Sequence, residues 1–168
     1  MELRDIYNSK GYKTGVRKER SEKLEDGEYY LATEVWIINS SSKILIQQRS
    51  SNKDVLPNMW GLTTGCMVSG EGTAEGALRE VKEEIGLSIE KDELNFIRRI
   101  FRENSIWDIY FVYKDVELSK LILQKEEVSN VKFVSIEEFN NMLLSGELFE
   151  YPEIYDMLSL INDKVSEY

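Results

Sequence analysis

The chain has 168 residues, of which 42% are hydrophobic and 31% charged, the proportions of one soluble globular domain with enough apolar residues for a core. A formal net charge of −10 argues against a nucleic-acid polymer or an anionic membrane as the main partner, and no run reaches the roughly 18 apolar residues of a membrane span. One cysteine and no histidine exclude an internal disulfide, a Cys/His zinc site and every Ser–His or Cys–His nucleophile.

The first residues, MELRDIYNSKGYK, lack the apolar centre of a signal peptide, so a cytoplasmic protein is expected. Residues 3–7 read as a short strand, 8–11 as a turn and 13–16 as a return strand. The basic run Arg17-Lys18-Glu19-Arg20, followed by Glu22, Glu25 and Asp26, reads as a solvated surface. Residues 31–38, LATEVWII, are β-branched and aromatic enough for a central strand. Residues 39–42 break it, and 43–48, KILIQQ, alternate Ile44 and Ile46 with polar residues as a hairpin partner. A loop over 50–59 carries Pro57, and 60–68 are extended.

Next, Ala74, Ala77, Leu78, Val81 and Ile85 recur at the spacing of an amphipathic helix packed on a core. At about 3.6 residues per turn, Glu80, Glu83 and Glu84 share a neighbouring face. Clustered carboxylates repel: at an effective dielectric near ~20, a close pair costs on the order of 4 kcal/mol before screening. Such a face is either solvated or neutralised by a hard cation, for which Mg²⁺, Mn²⁺ or Ca²⁺ suits oxygen ligands better than Zn²⁺. Gly76, in the first helical turn, costs roughly 1 kcal/mol against Ala.

The flanking residues bear on that choice. Gly65, five residues, Glu71, seven residues, Arg79-Glu80-Val81-Lys82-Glu83-Glu84-Ile85-Gly86-Leu87 resembles the Nudix box with every fixed position filled. At roughly 7% per position, seven fixed positions would be met by chance about once in 10⁸ starting points. The resemblance implies an α/β fold, a Nudix-type α/β/α sandwich with a mixed β-sheet and a strand–loop–helix. It also implies a hydrolase that uses Mg²⁺ or Mn²⁺ to cleave a diphosphate linked to another moiety. Carried over by position, Glu80, Glu83 and Glu84 are the metal residues, with Glu71 on the loop in reach of the metal. Arg79 orients a helix carboxylate, and one of the acids activates water. Gly86 closes the helix in a left-handed conformation.

Beyond the helix, residues 94–101 and 106–113 read as strands around Glu103-Asn104-Ser105, 118–123 as extended, and 131–134 as a strand. Ser135-Ile136-Glu137-Glu138 resembles a capping box opening a helix to about Leu144, and Pro152 opens a last helix to about Asp163. No repeat, low-complexity tract or linker divides the chain, so a single domain over 1–168 is expected.

Gln48-Arg49-Ser50-Ser51-Asn52-Lys53, Pro57 and Trp60 resemble a narrower Nudix branch that includes the isopentenyl-diphosphate isomerases, over about 12–146. That likeness implies that Arg49 and Lys53 contact a substrate diphosphate. Within Glu126-Glu127-Val128, Glu127 stands where many Nudix enzymes place a further catalytic glutamate. Isomerisation itself is disfavoured: Tyr30 and Cys66 stand where the isomerases have histidines, and Thr64 where they have the catalytic cysteine. Cys66 reads as a small buried hydrophobe. Trp36 belongs to the core, while Trp60 and Trp107 are candidates for covering a base or an isoprenoid. The expected activity is metal-dependent hydrolysis of a nucleoside diphosphate derivative or related organic diphosphate. The alternatives are an isomerase and a non-catalytic nucleotide-binding module, discriminated by product. The expected partner is a small-molecule diphosphate, with a homodimer left open.

Overall fold

The computed structural model describes residues 2–165; Met1 and residues 166–168 of the expected single domain lie outside the described residues. Two compact units are present. The first comprises the chain up to Trp36 and Thr63–Val112, the second Ile37–Leu62 and the chain from Tyr113 onward.

In the first unit, β1 (Leu3–Tyr7) and β2 (Lys13–Glu19) form an antiparallel hairpin. Its turn is closed by Asn8, whose side-chain oxygen accepts from the backbone N–H of Lys10 at 2.9 Å and of Tyr12 at 3.1 Å. β2 runs three residues beyond the expected end at residue 16, because Arg17 and Lys18 stay in register opposite Asp5 and Arg4. The basic run is therefore half of a strand whose side chains are paired: Arg17 with Asp5 at 3.3 Å, Lys18 with Glu28 at 2.5 Å.

β3 (Tyr30–Ile38) begins in this unit. It pairs antiparallel with β6 (Thr63–Cys66), Ala32 opposite Cys66 and Val35 opposite Thr63, and it also neighbours β8 (Ser105–Tyr113). β7 (Asn95–Arg102) is antiparallel to β8. Trp36 is fully buried, as expected, and donates Nε1 to the buried carboxylate of Glu34 at 2.7 Å; Arg102 Nη2 reaches the other oxygen at 3.0 Å.

Against β6 packs α1 (Thr73–Ile85), which buries Thr73, Gly76, Ala77, Val81 and Ile85. The buried stripe lies slightly to one side of the expected one, since Ala74 and Leu78 are only half-buried. The reason is an anchor that periodicity does not show. Thr73 Oγ1 donates to Asp108 Oδ2 at 2.5 Å and lies 2.8 Å from the Tyr110 hydroxyl, while Arg99 grips both Asp108 oxygens at 2.7 and 2.8 Å. These bonds turn the first helical turn toward β8. Gly76 is explained by the same packing: a Cβ there would run into the Sδ and Cε of buried Met67. Gly86 ends the helix at φ 70°, its N–H donating to Lys82 O at 3.1 Å.

In the second unit the end of β3 pairs with β4 (Ile44–Arg49), Ile38 opposite Ile44. β9 (Val128–Val134) lies antiparallel along one edge of β4, and the short β5 (Trp60–Gly61) along the other. β9 starts at Val128 rather than 131, because Val128 is buried opposite Arg49. The segment 118–123, expected to be extended, opens with a 3₁₀ turn at Leu118–Lys120 and continues with Leu121 in extended backbone; Ile122 is exposed, while Leu118, Leu121 and Leu123 are half-buried. α2 (Ile136–Leu144) opens with the expected capping box: the Glu138 N–H donates to Ser135 Oγ at 3.1 Å and the Ser135 N–H to Glu138 Oε2 at 2.7 Å. It buries Phe139 and Met142. α3 (Ile154–Val165) starts two residues after Pro152 and buries Ile154, Met157, Leu158 and Ile161 on one face.

Both units combine strands with helices, which is the α/β class read from the sequence. Among the described residues no helix is long and apolar enough to cross a membrane.

Gly76→Ala tests the packing directly. Alanine recovers about 1 kcal/mol of helix propensity but overpacks against Met67, so a net loss of about 1 kcal/mol is expected. Urea unfolding should show an earlier midpoint; a later one would mean that Met67 swings aside at no cost.

Candidate functional site

After β6 the chain turns through residues 67–72 into α1, and the N-terminal hairpin holds this turn. The Ser69 N–H donates to Leu3 O at 2.7 Å. Asp5, 6% exposed, accepts from Ser69 Oγ at 2.9 Å and the Gly70 N–H at 2.7 Å, and pairs with Lys13 Nζ at 2.7 Å. Burial alone would raise its pKa; the hydrogen bonds from Lys13, Gly70 and Ser69 outweigh that and lower it from 3.8 to about 2.

Inside this turn sits Arg79, 26% exposed. Its Nε and Nη2 donate as a fork to the two oxygens of Glu71 at 2.7 and 2.9 Å. Nη1 donates to Glu80 Oε1 at 2.9 Å and Glu83 Oε2 at 3.2 Å, and Nη2 also reaches Cys66 O at 3.3 Å. One guanidinium thus takes up the repulsion expected among the box acids. The bond to Glu71, more than any other partner, pushes the Arg79 pKa further up.

Burial separates the acids. Glu71 and Glu80 are 12% and 15% exposed, whereas Glu83 is 53% exposed. Burial pushes the Glu80 carboxyl up, against the opposing charge of Arg79 and a smaller contribution from Arg20. Gly65 makes room for it, since a Cβ at that position would occupy the space of the Glu80 carboxylate.

Among the described residues, no three acidic or thiol side chains are set as a finished metal cage, because the oxygens of Glu71, Glu80 and Glu83 turn to Arg79. The donor chemistry nevertheless fits a hard divalent cation. All the candidate ligands are carboxylate oxygens, the donor type such a cation prefers. Glu84 is half-buried on the same helix.

The remaining candidates belong to the second unit. Lys53 Nζ pairs with Glu127 Oε2 at 2.6 Å, so these two expected residues are in contact. Arg49 Nε donates to Val55 O at 3.0 Å, and the Ser50 N–H to Glu127 O at 2.8 Å, fixing the chain on either side of that ion pair. Trp60 carries Lys132 Nζ 4.6 Å from its ring centroid and borders a cavity of about 350 Å³ with Gln48, Pro57, Asn58, Met59, Gly146 and Glu147. In the first unit, Trp107 is stacked on Arg102 at 4.3 Å and donates Nε1 to Ser105 Oγ at 2.8 Å. Cys66 is half-buried, and burial pushes its thiol up, away from a nucleophilic thiolate. Sequence reasoning passed over Arg20, whose charge acts on Glu80; the signal was available in the length of β2, which delivers Arg20 beyond its last paired residue.

Comparison with known proteins gives a match to the NUDIX domain family model over residues 28–156. An uncharacterized Nudix hydrolase of Listeria monocytogenes is 37% identical over 163 residues, 96% of each chain. Nudix hydrolase 3 of Arabidopsis thaliana is 36% identical over 153 residues, 83% of this chain and 20% of that one. Among solved structures, a Deinococcus radiodurans protein superposes with a TM-score of 0.73 at 20% identity, covering 96% of this chain and 98% of that one. The NUDIX domain of Shewanella oneidensis NrtR, complexed with ADP ribose, superposes with a TM-score of 0.62 at 14% identity, covering 88% and 93%. The isomerase-like branch rests on the sequence resemblance alone.

The Asp5 fastening has a pH signature. Its folded pKa lies below the ordinary value, so its stabilisation is complete above about pH 4 and is lost as pH falls toward 2. Acid titration of thermal stability should show this limb, and Asp5→Asn should lack it while being less stable at neutral pH. An identical acid limb in the variant would remove Asp5 as its source.

Proposed function

This chain belongs to the Nudix hydrolase family, and from that premise we propose that it cleaves a diphosphate linkage in a nucleoside diphosphate joined to another moiety, or in a related organic diphosphate. The observation that carries this reading is the convergence of Glu71, Glu80 and Glu83 on one cationic centre in the strand–loop–helix. The ADP ribose held by the Shewanella domain is of this chemical class.

Mg²⁺ or Mn²⁺ bound by Glu80, Glu83, Glu84 and Glu71 would neutralise phosphate oxygens and acidify a water molecule. Arg79 gathers Glu71 and Glu80 beside each other, and their carboxylates would turn from its guanidinium to meet a cation. Glu83 is the most exposed of the three acids around Arg79 and the one most open to solvent. Lys53 fixes the Glu127 carboxylate, and Glu127 is assigned to receive a proton from the attacking water. Arg49 and Lys53 are assigned to the diphosphate, and Trp60 to the group attached to it. The proposed setting is the cytoplasm and the partner a small molecule. An isomerase gains no support from Tyr30 and Cys66, whose phenol and thiol are pushed toward their neutral forms by burial.

The deciding experiment scores nucleotide sugars, dinucleotides, oxidised nucleotides and isoprenoid diphosphates for phosphate or nucleotide release with and without Mg²⁺ or Mn²⁺. Release is expected only with metal, and Glu83→Gln and Glu84→Gln should each abolish it with circular dichroism unchanged; undiminished rates in both would refute the assignment. Glu127→Gln should lower kcat about 10²-fold. Gly65→Ala, which displaces Glu80 without touching a ligand, should cost more than about tenfold in kcat/KM while the chain stays folded.

A further inference from the structure

The cavity bordered by Trp60 lies wholly in the second unit, and at about 350 Å³ it falls within the size of small-molecule sites, roughly 300–1,000 Å³. Pro57, Met59 and Trp60 give it apolar surface, while Gln48, Asn58 and Glu147 give it amides and a carboxylate. Two backbone bonds fix the ring beside the carboxylate-bearing residue: the Trp60 N–H donates to Glu147 O at 3.0 Å and the Phe149 N–H to Trp60 O at 2.9 Å. Lys132 Nζ, 4.6 Å from the ring centroid, braces the ring from one side. The Gln48 side chain donates Nε2 to Asn58 O at 3.1 Å and keeps its amide oxygen to accept. Asn58 and Glu147 are exposed, and neither side chain makes a hydrogen bond or ion pair among the described residues.

The loop wall of this cavity is built under strain. Leu56 and Asn58, on either side of Pro57, have φ of 50° and 62°, a left-handed backbone that is costly for residues other than glycine. Bonds from the Met59 N–H to Leu56 O at 3.3 Å and from the Arg49 N–H to Met59 O at 2.9 Å hold it there. Strain of this kind persists only where the surroundings over-determine it, and it gathers at ligand clamps.

We propose that this cavity receives the nucleobase of the substrate, which stacks against Trp60 and offers ring N–H and amino donors to Glu147 and Gln48. A base presents both a π-face and fixed hydrogen-bonding groups, which is the mixture the lining can satisfy. An isoprenoid chain would strip water from Gln48, Asn58 and Glu147 and return no hydrogen bond. A phosphate would face the Glu147 carboxylate, and none of the described lining residues is cationic. The site narrows the diphosphates open to the chain to those that carry a nucleoside, and its role toward substrate rests on the reading of the chain as a diphosphate hydrolase.

Free nucleosides are the probe: adenosine, guanosine, cytidine and uridine, titrated calorimetrically into the whole protein without metal, with dimethylallyl alcohol as the isoprenoid comparison. At least one nucleoside should bind more tightly than the alcohol. Glu147→Ala should weaken that binding several-fold, and Glu147→Gln, which keeps an accepting oxygen, should retain part of the affinity. Trp60→Leu should weaken it about tenfold, as loss of a base–aromatic stack does. Because Trp60 is half-buried, its variant counts only with an unchanged circular dichroism spectrum, and exposed Glu147 carries the test otherwise. With a nucleotide substrate that is turned over, Glu147→Ala should raise KM more than it lowers kcat. No nucleoside binding, tighter binding of the alcohol, or nucleoside affinity and KM unmoved by Glu147→Ala overturns the base site. Metal-dependent cleavage of isoprenoid diphosphates without nucleoside binding sinks the base site and leaves the hydrolase reading standing. Nucleoside binding that depends on Glu147, without cleavage of any diphosphate, does the reverse.

Discussion

A single guanidinium holds the first unit's chemistry in place. Arg79 is donor to Glu71, Glu80, Glu83 and the Cys66 carbonyl, linking the strand before the turn, the turn itself and the helix after it. Three acids cannot share such a volume without a cation, since each added carboxylate raises the cost of the others. The arrangement is economical because the same charge that offsets the repulsion also fixes the rotamers. Within this arrangement Glu80 is only 15% exposed, and burial pushes its carboxyl up in spite of Arg79.

Support for that centre comes from groups that carry no chemistry themselves. Gly65 supplies the empty volume into which the Glu80 carboxylate fits. Thr73, fixed by Asp108 and Tyr110, sets the rotation of α1, so that its acids emerge beside β6. Moving that rotation by one residue would turn the helix by about 100° and carry the acids off the site. In the second unit a comparable economy appears on a smaller scale: the Lys53–Glu127 pair joins the loop after β4 to the residue that precedes β9.

What was legible in the sequence was whatever local spacing encodes. The helix of the box, its terminal Gly86, the Ser135–Glu138 capping box and the burial of Trp36 all follow from residue type at fixed intervals, and each is seen. The partners of Arg79 were half legible: a helix carboxylate was expected, but the fork on Glu71 depends on how the turn folds back. At the basic run 17–20 the exposure of Arg17 and Arg20 was legible from charge, whereas the pairing was not, because Asp5, the partner of Arg17, lies twelve residues before it. Residues 118–123 looked extended from composition; Leu121 is extended, but Leu118–Lys120 close into a 3₁₀ turn, with the Leu121 N–H donating to Leu118 O at 3.2 Å. Gly76 was an unexplained cost until Met67, nine residues earlier, filled the space above it.

The bond from the Ser69 amide to Leu3 O, together with that from Gly70 to Asp5, has a dynamic consequence. Opening the hairpin exposes these two loop amides at once, so the first strand pair and the box turn should melt and re-form as a single cooperative segment. Hydrogen–deuterium exchange would then find Ser69 and Gly70 protected to the same degree as the β1–β2 ladder. The β1–β2 hairpin thereby governs how often the turn before α1 loosens.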